Sequence, residues 1–178
     1  MRLTLEQLNQ IMPTSGSFAK IYIEYLNDSI EDFDIENVPA FLATVAVESG
    51  NLLYTSELAS GVAYNSRDDL CNTEPEAIEA AARGGKPPGA FYKGHGLIQI
   101  TGYYNHKECG AALGVDLVNY PTMLCQPEHA CSSAAWFWKR HNLDTISDPE
   151  KIRRKVNGGL NGYKEFLDCL ARATVVLS

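Results

Sequence analysis

The chain has 178 residues, 45% hydrophobic and 21% charged, with 22 acidic against 15 basic side chains and a net charge of −7. That length suits one domain burying roughly 70% of the surface its unfolded chain would expose, and the composition excludes a low-complexity or disordered chain. The acidic balance argues against nucleic acid, which calls for a basic field over the phosphates. No apolar run approaches the ~18 residues of a membrane span, and the first residues lack the apolar stretch of a secretory signal. The expectation is a soluble protein made in the cytoplasm.

In chain order, Thr4-x-x-Gln7 reads as a capping box opening a helix over 5–12, stopped by Pro13. Ser17 is placed to cap a second helix running toward Asp28. Asn37 and Pro39 read as N-cap and early-turn proline of a helix through Val47. Shorter helical pieces are expected over 66–71 and 74–82. Between Gly84 and Gly102 lie six glycines and two prolines, and Leu97-Ile98-Gln99-Ile100-Thr101 alternates at period two. This predicts a short extended segment with Gln99 and Thr101 on its polar face. Helices follow over 105–113 (ended by Gly114), 127–140, 149–156 (opened by Asp148-Pro149) and 163–177. The architecture is a mainly α single domain, in two lobes joined around the extended segment.

Glu48 is the first candidate for chemistry. The helix before it is apolar on nearly every face and so is buried, and Gly50 is placed as its C-cap. Desolvation and the negative end of the helix dipole both favour the protonated form, which a general acid needs. Glu57 lies nine residues on, beside Thr55 and Ser56, where an ionised, hydrogen-bonded carboxylate is expected. Nine residues of continuous helix would put the two on opposite faces, about 900° apart. Gly50-Asn51 supplies the break that lets them share a cleft. Two carboxyls in contrasting settings form the acid/base pattern of glycoside hydrolysis.

Gln99, Thr101 and Asn105 add polar groups in the central third, and Asn157-Gly158-Gly159-Leu160-Asn161-Gly162 sets two amides among three glycines. Tyr54, Tyr64, Tyr92, Tyr103 and Tyr104 cluster centrally, offering rings either to sugar faces or to the core. Lys151, Arg153, Arg154 and Lys155 read as the solvated face of a short helix. The five cysteines contain no CxxC, so reduced, partly buried thiols are expected. His95, His106, His129 and His141 form no HExxH and no close pair in sequence, so neither a metal site nor a cofactor is expected.

These residues also carry a family resemblance. Phe41 through Glu48-Ser49-Gly50 and then Glu57 resembles the helix and acid/base pair of family 19 glycoside hydrolases. Gly94-His95-Gly96-Leu97-Ile98-Gln99-Ile100-Thr101-Gly102-Tyr103-Tyr104-Asn105 is similar to that family's central motif, and residues 157–162 to its third. Order and spacing resemble the compact bacteriophage endolysins of the family, from Leu3–Pro13 onward. The resemblance implies a lysozyme-like fold with a cleft between two lobes. It implies that Glu48 is the general acid, Glu57 the general base, and Thr101 the hydroxyl that helps position water. Gln99, Tyr104, Asn105 and Asn157 match substrate-binding positions, and Tyr54 is added as an adjacent ring. Val47 stands where many members have His, and His95 where Arg is usual. The last helix lacks the basic residue expected soon after the Asn-Gly-Gly loop.

The implied activity is inverting hydrolysis of the β-1,4 glycan backbone of peptidoglycan. The alternatives are chitin as substrate, or a non-catalytic glycan-binding or inhibitor domain. An endolysin of this kind is expected to be a monomer, and it is expected to have neither a signal peptide nor a wall-binding module. It would reach the periplasm and wall with the help of a holin-type membrane protein.

Overall fold

The computed structural model describes residues 1–178. The helices are α1 Leu5–Ile11, α2 Phe18–Ser29, α3 Val38–Ser49, α4 Pro75–Arg83, α5 Pro88–Phe91, α6 Tyr103–Leu113, α7 Pro127–Arg140, α8 Pro149–Asn157 and α9 Tyr163–Leu177. Single 3₁₀ turns occur between them, and the β structure is confined to isolated bridges. The chain divides into two compact units, residues 1–53 with 134–178, and residues 54–133, the second division falling within α7.

The first unit is built on α3 and α9, with α1, α2 and α8 packed beside them. Phe41 and Trp138 are fully buried and meet edge to face, 5.6 Å between ring centroids, with Phe33 beyond Phe41 at 5.1 Å. Local signals set most helix ends. Thr4 and Gln7 form the full capping box, and the Asp148 carboxylate accepts from the Glu150 amide. Ser17 and Asn37 occupy N-cap positions without making side-chain capping bonds. After α3 the backbone turns left-handed at Gly50, Asn51 and Leu52 in succession, φ 60°, 60° and 71°. The Ser49 hydroxyl ties this break by accepting from the Leu52 amide at 2.8 Å. The helix therefore ends where the glycine predicts.

The second unit packs α4, α5 and α6 around Tyr92, which is fully buried, with Phe91, Tyr103 and three alanines of α4. Two of the five central tyrosines are thus core residues. The 66–71 expectation is met only by a 3₁₀ turn over Asp68–Leu70, whereas α4 extends to Arg83.

The expected extended segment is a tight reversal instead. His95 and Ile100 form an antiparallel bridge and residues 96–99 turn between them. Gly96 and Gln99 both have positive φ, 84° and 57°, and Leu97, Ile98 and Ile100 are all buried. Period two describes a strand that does not reverse, so the apparent polar and apolar faces do not exist here. The Gln99 amide closes the turn by donating to the Gly96 carbonyl at 2.8 Å.

Candidate active site

In the first unit Glu48 occupies the last turn of α3, its side chain 14% exposed. Its carboxylate is not alone. The Arg153 guanidinium, 3% exposed, donates from Nη1 to Glu48 Oε1 and from Nε to the Asn161 carbonyl at 2.7 Å. This corrects two expectations: Glu48 is not an isolated buried carboxyl, and Arg153 does not belong to a solvated face. Only Lys151, Arg154 and Lys155 of that cluster are exposed. A buried carboxylate without a partner is costly, and a bidentate-capable guanidinium meets that cost in kind. The signal was present as a basic residue just before the Asn-Gly-Gly loop, although one was expected after it.

Arg153 thereby ties the loop of residues 157–162 to Glu48. Gly162 completes the joint, with φ +70° and a position where an added Cβ would stand 2.8 Å from Val47 Cγ1 and 3.4 Å from Arg153 Nη2. Asn157 ends α8 with its side chain exposed, and Gly158 follows in the left-handed conformation.

In the second unit Glu57 is held at both ends. Its carboxylate accepts from the Tyr64 hydroxyl at 2.9 Å and the Gly94 amide at 3.1 Å, while its own amide donates to the Gly94 carbonyl at 2.8 Å. The Lys93 ammonium donates to the Glu57 carbonyl at 2.7 Å. Thr55 and Ser56 were expected to supply the hydroxyl; Tyr64, treated only as a ring, does so. Burial first, and the Glu57 carboxylate second, push the Tyr64 phenol above its ordinary value, so it stays protonated as a donor.

Thr101 and Gln99 converge on the same glycine. A Cβ on Gly94 would lie 2.7 Å from Gln99 Oε1 and 3.3 Å from Thr101 Oγ1. Glycine is thus required where the backbone that donates to Glu57 passes under both side chains. The Thr101 hydroxyl donates to the Gln99 carbonyl at 2.9 Å, and the Asn105 amide donates to the Thr101 carbonyl at 2.8 Å. Tyr54 and Tyr104 are 43% and 44% exposed. The second unit therefore gathers Glu57, Gln99, Thr101 and Asn105, and the first gathers Glu48 with the 157–162 loop.

Asn72, fully buried, carries no signal in the sequence. It donates to the Tyr64 carbonyl at 2.9 Å and accepts from the Tyr103 amide at 2.8 Å, linking Glu57's donor to the start of α6. The expected scatter of histidines is also corrected: His95 and His106 are buried and hydrogen-bonded to each other, Nδ1 to Nε2 at 3.1 Å. Eleven residues of separation hid the pair. Burial pushes both imidazoles well below their ordinary value, so each is neutral.

Each unit thus holds a carboxylate in a hydrogen-bonded setting of its own, Glu48 on Arg153 and Glu57 on Tyr64 and Gly94. The chain belongs to glycoside hydrolase family 19: the family model described as chitinase class I matches residues 24–153. An endochitinase of Arabidopsis thaliana is 34% identical over 125 residues, 68% of this chain and 39% of that protein. A family 19 domain-containing protein of Haemophilus influenzae is 38% identical over 74 residues, 42% of this chain and 36% of its own length. The chain thus aligns with well under half the length of these relatives. Among solved structures, chitinase C from Streptomyces griseus covers 98% of this chain and 76% of its own, with a TM-score of 0.74 at 24% identity. A further bacterial family 19 chitinase gives 0.76 at 22% identity, covering 98% and 94%. The fold shared with them is the mainly helical, lysozyme-like one.

Proposed function

We propose that this chain hydrolyses the β-1,4 glycan backbone of bacterial peptidoglycan with inversion at the anomeric carbon. Glu48 protonates the departing glycosidic oxygen, and the Arg153 guanidinium stabilises the carboxylate left behind. Glu57 takes a proton from the attacking water, which the Thr101 hydroxyl orients. Gln99, Asn105, Asn157, Tyr54 and Tyr104 bind the sugars. The observation that carries this reading is the setting of Glu57. Tyr64 and Gly94 both donate to it, which suits an acceptor-only, ionised base.

Resemblance to compact endolysins supports peptidoglycan as the polymer, and the same resemblance supports action as a monomer released to the wall by a holin-type membrane protein. A second reading is chitin, favoured because the similar proteins are an endochitinase and a chitinase. Mass spectrometry of products from purified peptidoglycan, run beside a chitin digest, separates the two. Soluble muropeptides are expected, and their reducing-end sugar identifies the bond cut. Chitin cleaved while peptidoglycan stays intact would replace the first reading with the second. Binding to either polymer without turnover would mark a non-catalytic domain.

A further inference from the structure

His95 is the residue whose backbone adjoins both segments of the Glu57–Thr101 cluster. On one edge it bridges antiparallel to Ser56, with the Glu57 amide donating to the Gly94 carbonyl and the Gly96 amide to the Thr55 carbonyl, each at 2.8 Å. On the other it bridges to Ile100, exchanging bonds of 3.0 and 2.8 Å. Glu57 follows Ser56, and Thr101 follows Ile100. The His95 side chain is buried, with Nδ1 3.1 Å from His106 Nε2. His106, in α6, sets its Nδ1 2.8 Å from the carbonyl of Gly102, the residue after Thr101.

This arrangement dictates the protons. A carbonyl only accepts, so His106 carries its proton on Nδ1 and offers a lone pair from Nε2. His95 must then carry its proton on Nδ1. The rings form one directed chain, His95 to His106 to Gly102. It anchors the central edge and the segment just beyond Thr101 to the same buried imidazole.

We infer that His106 is a positioning residue, which through His95 and Gly102 holds the segments bearing Glu57 and Thr101 in register. The inference rests on the roles proposed above for those two residues. The groups facing the pair reinforce the uncharged arrangement. Lys93 and Lys86 oppose a positive charge on His95, and burial opposes one on His106, whose ring centroid lies 5.4 Å from that of Tyr92. Protonating His106 at fixed geometry sets its Nε2–H against the Nδ1–H of His95, so the register depends on a neutral His106.

The test compares His106→Phe, which keeps a ring and removes both bonds, with His106→Gln, whose amide offers a donor and an acceptor. In folded His106→Phe, kcat on a soluble chitooligosaccharide should fall about 10- to 100-fold, as expected for misplaced catalytic groups, while KM changes little. The acid limb of its kcat–pH profile should move to lower pH, because the His106 protonation that opposes the His95 Nδ1–H can no longer occur. His106→Gln should recover part of kcat. Wild-type kcat and an unmoved acid limb in folded His106→Phe would overturn the assignment. Should that variant not fold, ¹⁵N NMR of the wild-type imidazoles decides: both rings neutral and protonated on Nδ1 at pH 6 is expected, and any other tautomer or an imidazolium overturns it. The NMR result holds even if the chain hydrolyses no glycan, so failure of the proposed function and failure of this inference remain distinguishable.

Discussion

Arg153 and Glu48 form a buried ion pair between residues 105 apart in sequence, and the same guanidinium holds the Asn161 carbonyl. One side chain therefore neutralises the carboxylate and fixes the loop that follows α8. Removing Arg153 alone strands a carboxylate that is largely out of water. Arg153→Met should cost about 3–5 kcal/mol of stability, the scale for breaking a buried pair on one side. Combined Glu48→Gln/Arg153→Met should be less destabilised than Arg153→Met. Urea unfolding of Arg153→Met, Glu48→Gln and the double variant checks this; a double-variant loss equal to the sum of the two single losses would mean the pair is not coupled. Glu48→Gln should retain its fold yet lose nearly all turnover, because an amide cannot supply the proton.

Thr101→Ala should cost less than loss of either carboxylate. Removing one donor from a developing transition state costs roughly 10²–10³-fold where that donor is direct, and an oriented water places Thr101 at or below that range. The effect should fall on kcat rather than KM. Unchanged kinetics would separate Thr101 from the reaction.

Stereochemistry tests the role of Glu57. A base that activates water yields the inverted product, whereas a nucleophile yields retention. Proton NMR at early times of a chitooligosaccharide or glycan digest should show the α-anomer first. An initial β-anomer would recast Glu57 as a nucleophile, or implicate the substrate's own acetamido group.

Gly162→Ala probes the joint between the loop and α3. A positive φ of 70° already disfavours any side chain, and the new methyl would stand 2.8 Å from Val47 Cγ1. Strain of this kind costs on the order of 1–3 kcal/mol before the clash is counted. Val47→Ala in the same chain should return the part due to contact and leave the part due to φ. Thermal unfolding distinguishes the two shares.

The histidine pair sets a pH dependence of stability. Both imidazoles have folded-state values below the ordinary 6.5, so the unfolded chain binds more protons in the interval between them. Stability is full above about 6.5 and declines as pH falls toward about 4, the value to which burial lowers His106. Urea midpoints at pH 7.5 and 5 should therefore differ more in wild type than in His106→Gln. Equal slopes in the two proteins would remove the pair from the acid sensitivity.

The contrast between what was legible and what was not follows the range of the forces. Helix ends at Thr4, Gly50, Gly114 and Asp148 are written locally, because a capping bond or a left-handed residue involves neighbours within one turn. The buried character of α3, the break between Glu48 and Glu57, and the motif glycines are readable for the same reason. Residues 95–100 misled because alternation cannot register a reversal, which depends on positive φ at Gly96 and Gln99. Arg153 misled because its helix is mostly solvated, and only packing shows which basic side chain is enclosed.

By itself, then, the sequence determined the helical class and most helix termini, which depend on periodicity and near neighbours. The tertiary structure alone decided the partners of Glu48 and Glu57, Arg153 for the first and Tyr64 and Gly94 for the second, and it brought the two buried imidazoles together. Those pairings arise because buried polar groups must find partners wherever the folded chain places them. Their choice is governed by proximity in space, which sequence spacing does not encode.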